Sequence, residues 1–142
     1  MKTISFTVYG EAVSRKSKLA INKYSNKPYI FKAEDSRRWE DSVTGQCLVY
    51  RPEKLITGEI ILGMKFYRSI PKSISKKKRV LMLENKIRPA KKPDLDNLIK
   101  GLKDSLKGVF FVDDAQIIEY LNGTGKYYSE TPKVEIEVRY NE

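Results

Sequence analysis

Residues 92–117 read KPDLDNLIKGLKDSLKGVFFVDDAQI, and this stretch decides the fold class. Leu95, Leu98, Ile99, Leu102 and Leu106 recur at helical spacing, so the segment from Asp94 to Lys107 is predicted to be an amphipathic helix with one apolar stripe. Pro93 suits a helix entrance and Gly108 a helix stop. Val109–Val112 is a short apolar run, and Asp113-Asp114 ends it. A helix followed at once by an apolar run and a strand, Gln116–Leu121, points to a mixed α/β chain.

Working outward, alternation marks the flanking strands. Thr3–Tyr9 places Ile4, Phe6 and Val8 opposite Thr3, Ser5 and Thr7, a half-buried strand. Gly58–Phe66 is a second strand. Lys133–Tyr140 alternates Val134, Ile136, Val138 and Tyr140 with charged residues. Leu19–Lys32 reads as a hairpin turning at Ser25-Asn26. Ala33 to about Tyr50 reads as a helix with Ala33, Trp39, Val43 and Cys47 on one side. Trp39 is most simply a core residue. A third helix, capped by Ser73 or Ser75, is expected to run to about Asn85. No repeat, linker or low-complexity tract interrupts the chain, so residues 1–142 are read as one α+β domain: a small mixed sheet packed by about three helices.

Composition limits the chemistry. The net charge is +10, from 28 basic and 18 acidic residues. A domain this basic suits a polyanionic partner, since neutralised phosphates release counterions. Arg15, Lys16, Lys76, Lys77, Lys78 and Lys92 are the candidate DNA-binding residues. Lys76–Arg79 crowd positive charge into a first helical turn, where the macrodipole prefers acids. Bound phosphate would relieve that conflict, although a solvated charge run reads equally simply.

There is no histidine and only one cysteine, Cys47. Cys/His zinc sites, His general bases and Ser-His-Asp or Cys-His catalysis are thereby excluded, as is any disulfide within the chain. Cys47 reads as a small buried apolar residue. No apolar run approaches the roughly 20 residues of a membrane span, and the N-terminus lacks a signal-peptide core, so a cytoplasmic protein is expected.

Asp94 and Asp96 are two apart at a helix entrance. Inside a helix they would diverge by about 200°, but before the helix begins both carboxylates can converge. A strand returning beside the helix start would bring Asp113 or Asp114 to the same spot. Three carboxylates repel one another, and a hard divalent cation such as magnesium removes the repulsion. Such an ion can orient water and neutralise charge on a phosphodiester. Lys100, one turn after Asp96, could hold a phosphate oxygen. The structural alternative assigns the same residues ordinary work. Asp94 would be an N-cap, Asp96 a first-turn acid, Asp113-Asp114 a turn, and Lys100 the i,i+4 partner of Asp96 or Asp104.

The run Lys92–Leu106, with DDAQI at Asp113–Ile117, resembles the RusA-like Holliday junction resolvases of bacteria and phages. Lys126 and the closing PKVEIEV, Pro132–Val138, are also similar to that family, and the Gly10, Arg15 and Lys16 region resembles its opening more loosely. The resemblance implies a homodimer that binds four-way DNA junctions and makes paired symmetric nicks with Mg2+. It implies catalytic and metal-binding roles for Asp94, Asp96 and Asp114, with Lys100 the essential lysine, while Asp113 remains a rival to Asp114. Two further readings stay open: a metal-dependent nuclease for other branched DNA, and a non-catalytic DNA-binding module.

Overall fold

The computed structural model describes residues 1–14 and 17–142 of the chain. Arg15 and Lys16, two of the DNA-binding candidates, lie outside the described residues.

The first strand, β1 (Lys2–Tyr9), buries Phe6 and Val8 and turns its alternate residues outward, as the period-two pattern requires. A two-stranded hairpin follows, β2 (Ser17–Ile21) with β3 (Pro28–Lys32). Helix α1 (Glu34–Cys47) comes next. The predicted stripe is intact: Ala33, Trp39, Val43 and Cys47 are all buried. The helix stops at Cys47 rather than Tyr50, because Leu48–Tyr50 tighten into a 3-10 turn. Tyr50 then stacks on Phe6, with ring centroids 5.0 Å apart.

The long central strand β4 (Ile60–Ser69) leads to α2 (Lys76–Leu83), then α3 (Leu95–Leu106). Ser75 is the cap of α2, its hydroxyl accepting from the Lys78 amide at 3.3 Å. The chain closes with β5 (Ile117–Tyr120), β6 (Gly125–Ser129) and β7 (Lys133–Tyr140). Strand β6 has no counterpart in the sequence pattern. Its five residues, GKYYS, lack a clean alternation and come after glycine-bearing turns, so pairing to β4 rather than local pattern makes them a strand.

The sheet is mixed. β7 lies antiparallel between β1 and β4, and β4 pairs in parallel with β5 along Ile60–Leu62 and then with β6 along Lys65–Ser69. The parallel pairings need a crossover, which α2 and α3 supply. α1 and α3 pack together over one sheet face, where Thr44 donates to the Ser105 carbonyl at 3.2 Å. Val8, Leu62, Phe66, Leu102, Leu106, Phe110 and Val138 form the centre of one core. Phe110 stacks on Phe6 at 5.2 Å with rings 7° from parallel. Each such fully buried side chain contributes on the order of 1.5–3 kcal/mol in transfer free energy.

Two features of this frame position the motif acids. Lys126 of β6 sits at the N-terminal end of α3, so α3 runs antiparallel to β4, as β6 pairs with the Lys65–Ser69 half of that strand. At the other end, Gly108 takes φ +84, a conformation that frees the chain to turn back from α3. Phe111 then bridges both Lys107 and Ile56, and β5 starts opposite Ile60.

Candidate active site

Asp94 occupies the N-cap position of α3 in extended backbone, ψ 144°, and its carbonyl accepts the first intrahelical bond from Leu98 at 3.1 Å. Its carboxylate, however, makes no capping hydrogen bond. The side chain is exposed and lines an open cleft of about 510 Å³ together with Glu11, Arg68, Lys92 and Asn97. An acid in a cap position that caps nothing keeps its oxygens available to a ligand.

The cleft floor is locked. Arg68 is mostly buried; it donates to the Ala12 carbonyl and lies 3.5 Å from the Glu11 carboxylate. Glu11 also accepts from the Ser69 amide and hydroxyl, both at 3.2 Å. The entrance to α3 is locked from the other side. Lys126 donates its ammonium to the Lys91 carbonyl at 2.7 Å and to the Pro93 carbonyl at 2.9 Å, one peptide before Asp94. Arg88 in turn donates to the Lys126 carbonyl at 2.9 Å. Sequence reasoning missed Glu11 and Arg68, and gave Lys126 only as a family resemblance without its clamp on the entrance to α3. An arginine inside the apolar alternation of β4 was the one available signal for Arg68; Glu11 carried none.

Asp96 and Lys100 are exposed and one turn apart on α3. Lys76, Lys77 and Lys78 are exposed at the start of α2, and Lys92 borders the cleft. A larger depression, about 700 Å³, lies on the other side of the sheet among Lys65, Glu119, Glu135, Glu137 and Arg139. It contains none of the motif aspartates, so size does not identify the site here.

Asp113 and Asp114 separate cleanly. Asp113 caps the short 3-10 turn Asp114–Gln116, accepting from the Ala115 amide at 3.0 Å. Gln116 completes the box: its Oε1 accepts from the Asp113 amide at 2.8 Å, and its Nε2 donates to the Ile56 carbonyl at 2.7 Å. Asp114 has no such work. Its Oδ1 is buried without a hydrogen-bond partner, a state it shares with Glu40 Oε1, whose carboxylate is otherwise held by Lys32. A buried, unbonded carboxylate oxygen is costly unless a cation or donor reaches it.

The expected meeting of all three acids does not occur within one chain. β5 pairs with the Ile60 end of β4, and that pairing leaves Asp114 at the C-terminal end of α3, whereas Asp94 and Asp96 open its N-terminal end. Between them lies the 12-residue helix, about 18 Å long at 1.5 Å per residue. Accordingly, no group of three or more acids, histidines or cysteines able to hold a metal is found among the described residues. No helix among them is long and apolar enough to cross a membrane.

The family model described as "Endodeoxyribonuclease RusA" matches residues 12–139. The chain belongs to the RusA endodeoxyribonuclease family. The match spans the Asp94 cleft, α3 and the Asp114 turn together. This RusA-family chain is also similar to a Bacillus subtilis (strain 168) protein named "Uncharacterized protein YqaN". The two are 36% identical over 141 residues, which is 98% of this chain and 97% of the other. RusA-family membership supports a nuclease acting on branched DNA.

Proposed function

We propose that this chain is a magnesium-dependent endonuclease that resolves four-way DNA junctions by paired symmetric nicks, working as a homodimer in the cytoplasm. The observation that carries the reading is the state of the motif acids. Asp94 sits at a cap without capping, Asp114 carries an unbonded buried oxygen, and Asp113 does the structural work beside it. Asp94, Asp96 and Asp114 are therefore the proposed metal ligands and Lys100 the proposed phosphate-facing cation. This also tells against a plain DNA-binding module, in which these aspartates would serve as caps.

An all-oxygen, anionic donor set suits Mg2+, which would orient water and neutralise charge at the scissile phosphate. Two carboxylates at one end of α3 and one at the other fit that ion only if a second copy is present. Two chains related by a two-fold axis, with their α3 helices side by side and antiparallel, would set Asp94 and Asp96 of one protomer beside Asp114 of its partner. The same operation generates two such sites, matching the two-fold symmetry of a junction and its two cuts. Within each site the chain's own groups have separable tasks. Lys126 fixes the Pro93 carbonyl and so the path of the chain into Asp94. Arg68 and Glu11 hold the cleft wall, and Lys92 and Lys100 add positive charge where a phosphate must approach.

The test is a gel of synthetic four-way junction with and without magnesium. Two nicked duplexes are expected with the metal and none without it. Asp96→Asn should abolish cutting and retain binding. Equal cutting of linear duplex would remove the junction preference, and a panel of flaps and forks would then identify the substrate. Absence of product from every substrate in magnesium would overturn the nuclease reading.

A further inference from the structure

The β2–β3 hairpin stands outside the main sheet and carries large apolar side chains on both of its faces. Cross-strand pairing puts Leu19 opposite Ile30 and Ile21 opposite Pro28, so these share one face. Leu19, Ile21 and Ile30 are 71%, 63% and 73% exposed. The other face pairs Lys18 with Phe31 and Ala20 with Tyr29, and the two rings lie 5.8 Å apart. At the apex Tyr24 is 100% exposed.

An isolated two-stranded ribbon is marginal in water, and apolar residues on both faces make its exposure more costly. The tip is nonetheless built with care. The Asn22 side chain accepts from the Tyr24 and Ser25 amides at 2.8 and 3.1 Å, and Asn26 takes φ +57 with its amide donating to the Asn22 carbonyl. These bonds fix the apex and project Tyr24.

Charge indicates what the hairpin meets. Between Glu11 and Glu34 the chain has no acid and six bases, Arg15, Lys16, Lys18, Lys23, Lys27 and Lys32. Of these, Lys32 is tied to Glu40 of α1. Position agrees with charge. Ala12, Val13 and Ser14, which lead into β2, line the same cleft as Asp94. A ribbon with large apolar side chains on both faces, Lys18 beside Phe31 on one of them and Lys23 and Lys27 at its tip, rooted at the wall of that cleft, suits insertion between unstacked bases. Wedges of Phe, Leu and Ile part base steps in this way, and aromatic rings receive the freed bases. A protein partner would be expected to cover one face and to avoid so one-sided a charge.

We propose that the β2–β3 hairpin is a wedge that enters branched DNA at the branch point, with base-edge and stacking contacts on both of its faces. The inference rests on the nuclease reading for its substrate, but not on catalysis for its test. A four-way junction carrying 2-aminopurine at a branch-point nucleotide is titrated with the full-length protein in EDTA, so that binding is read without cutting. Wild type should raise the fluorescence several-fold at saturation. Leu19→Ser with Phe31→Ser should still bind the junction and lose most of that rise. Tyr24→Ser, at a fully exposed tip where folding is not at risk, should lose part of it. Replacing Lys18, Lys23 and Lys27 by Gln should weaken low-salt affinity at least tenfold and keep the rise at saturation.

No rise with wild type, or an equal rise with the apolar double variant, overturns the wedge. So does a double variant that sediments as monomer from a dimeric wild type while keeping the rise, since the hairpin would then be an interface between copies. A junction that is bound and brightened but never cut in magnesium leaves the wedge standing and removes the nuclease reading. Cutting without brightening removes the wedge alone.

Discussion

The separation of the acids along α3 makes a sharp complementation experiment possible. Asp96→Asn and Asp114→Asn are prepared separately, and each is expected to be inactive. The structure puts the two positions toward opposite ends of a 12-residue helix about 18 Å long, whereas ligands of one magnesium ion lie about 2.0–2.1 Å from it. Side-chain reach cannot close that gap within a protomer. If each site takes Asp94 and Asp96 from one protomer and Asp114 from its partner, a mixed dimer has one doubly damaged site and one intact site. Random exchange of equal amounts gives about half mixed dimers, so about a quarter of wild-type sites return. The assay is junction cleavage after unfolding and refolding the two variants together. Nicks should appear at about a quarter of the wild-type level, and as single nicks rather than paired ones. Activity staying at the level of either variant alone, with mixed dimers shown to have formed, would refute the composite site.

Four other outcomes are expected from particular contacts. Lys126→Met removes both bonds to the Lys91 and Pro93 carbonyls; cleavage should fall about tenfold or more with melting temperature little changed, and Lys126→Arg should recover part of it. Leu102→Ala, at a fully buried position on α3, should cost about 2–5 kcal/mol in chemical denaturation without altering which bond is cut. Cys47 is buried, and burial pushes its thiol up to about 11, so a disulfide reagent at pH 8 should react only as fast as the protein unfolds. Burial and the Glu135 carboxylate, 3.1 Å away, push the Tyr67 phenol up to about 12, so the folded state holds that proton while the unfolded chain releases it near 10. Stability from this group is complete below pH 10 and declines as pH rises toward 12; a spectroscopic titration with no tyrosine delayed beyond the bulk would contradict it.

How much of the fold and site was legible in the sequence depends on how local each cause is. The α3 stripe, the β1 and β7 alternation and the α2 cap depend on residues within a turn or two; the stripe and the alternations are where the pattern put them, and the cap is Ser75, one of its two candidates. The glycine after α3 ends it for a backbone reason visible in one residue. β6 was hidden because its strand character comes from β4, some sixty residues earlier. The cleft around Asp94 was hidden for the same reason: Glu11 and Arg68 reach it only after β1 and β4 have been placed in the sheet. The convergence of three acids failed as a single-chain expectation because sequence order constrains a strand's neighbour only loosely. β5 could have returned beside the start of α3, but its pairing with Ile60 carries it to the far end.

That failure changes what α3 does. A helix with two acids at its entrance and a third just past its exit cannot close a metal site on itself, however the side chains rotate. In the proposed dimer, antiparallel to its twin, the same helix would be a spacer that sets the distance between two sites and makes each depend on both copies. Paired cutting would then need no communication between active sites, since assembly of the proposed dimer would complete both at once. Asp114 would bear the cost of the proposed arrangement: its Oδ1 is buried and unbonded in the isolated chain, and the turn would have to open for a partner's cation to reach it. A monomeric variant should therefore be less stable at the Asp114–Gln116 turn than the dimer, and hydrogen exchange of the Ala115 and Gln116 amides reports this directly. Equal protection of those amides in monomer and dimer would break the link between the orphaned oxygen and the second protomer.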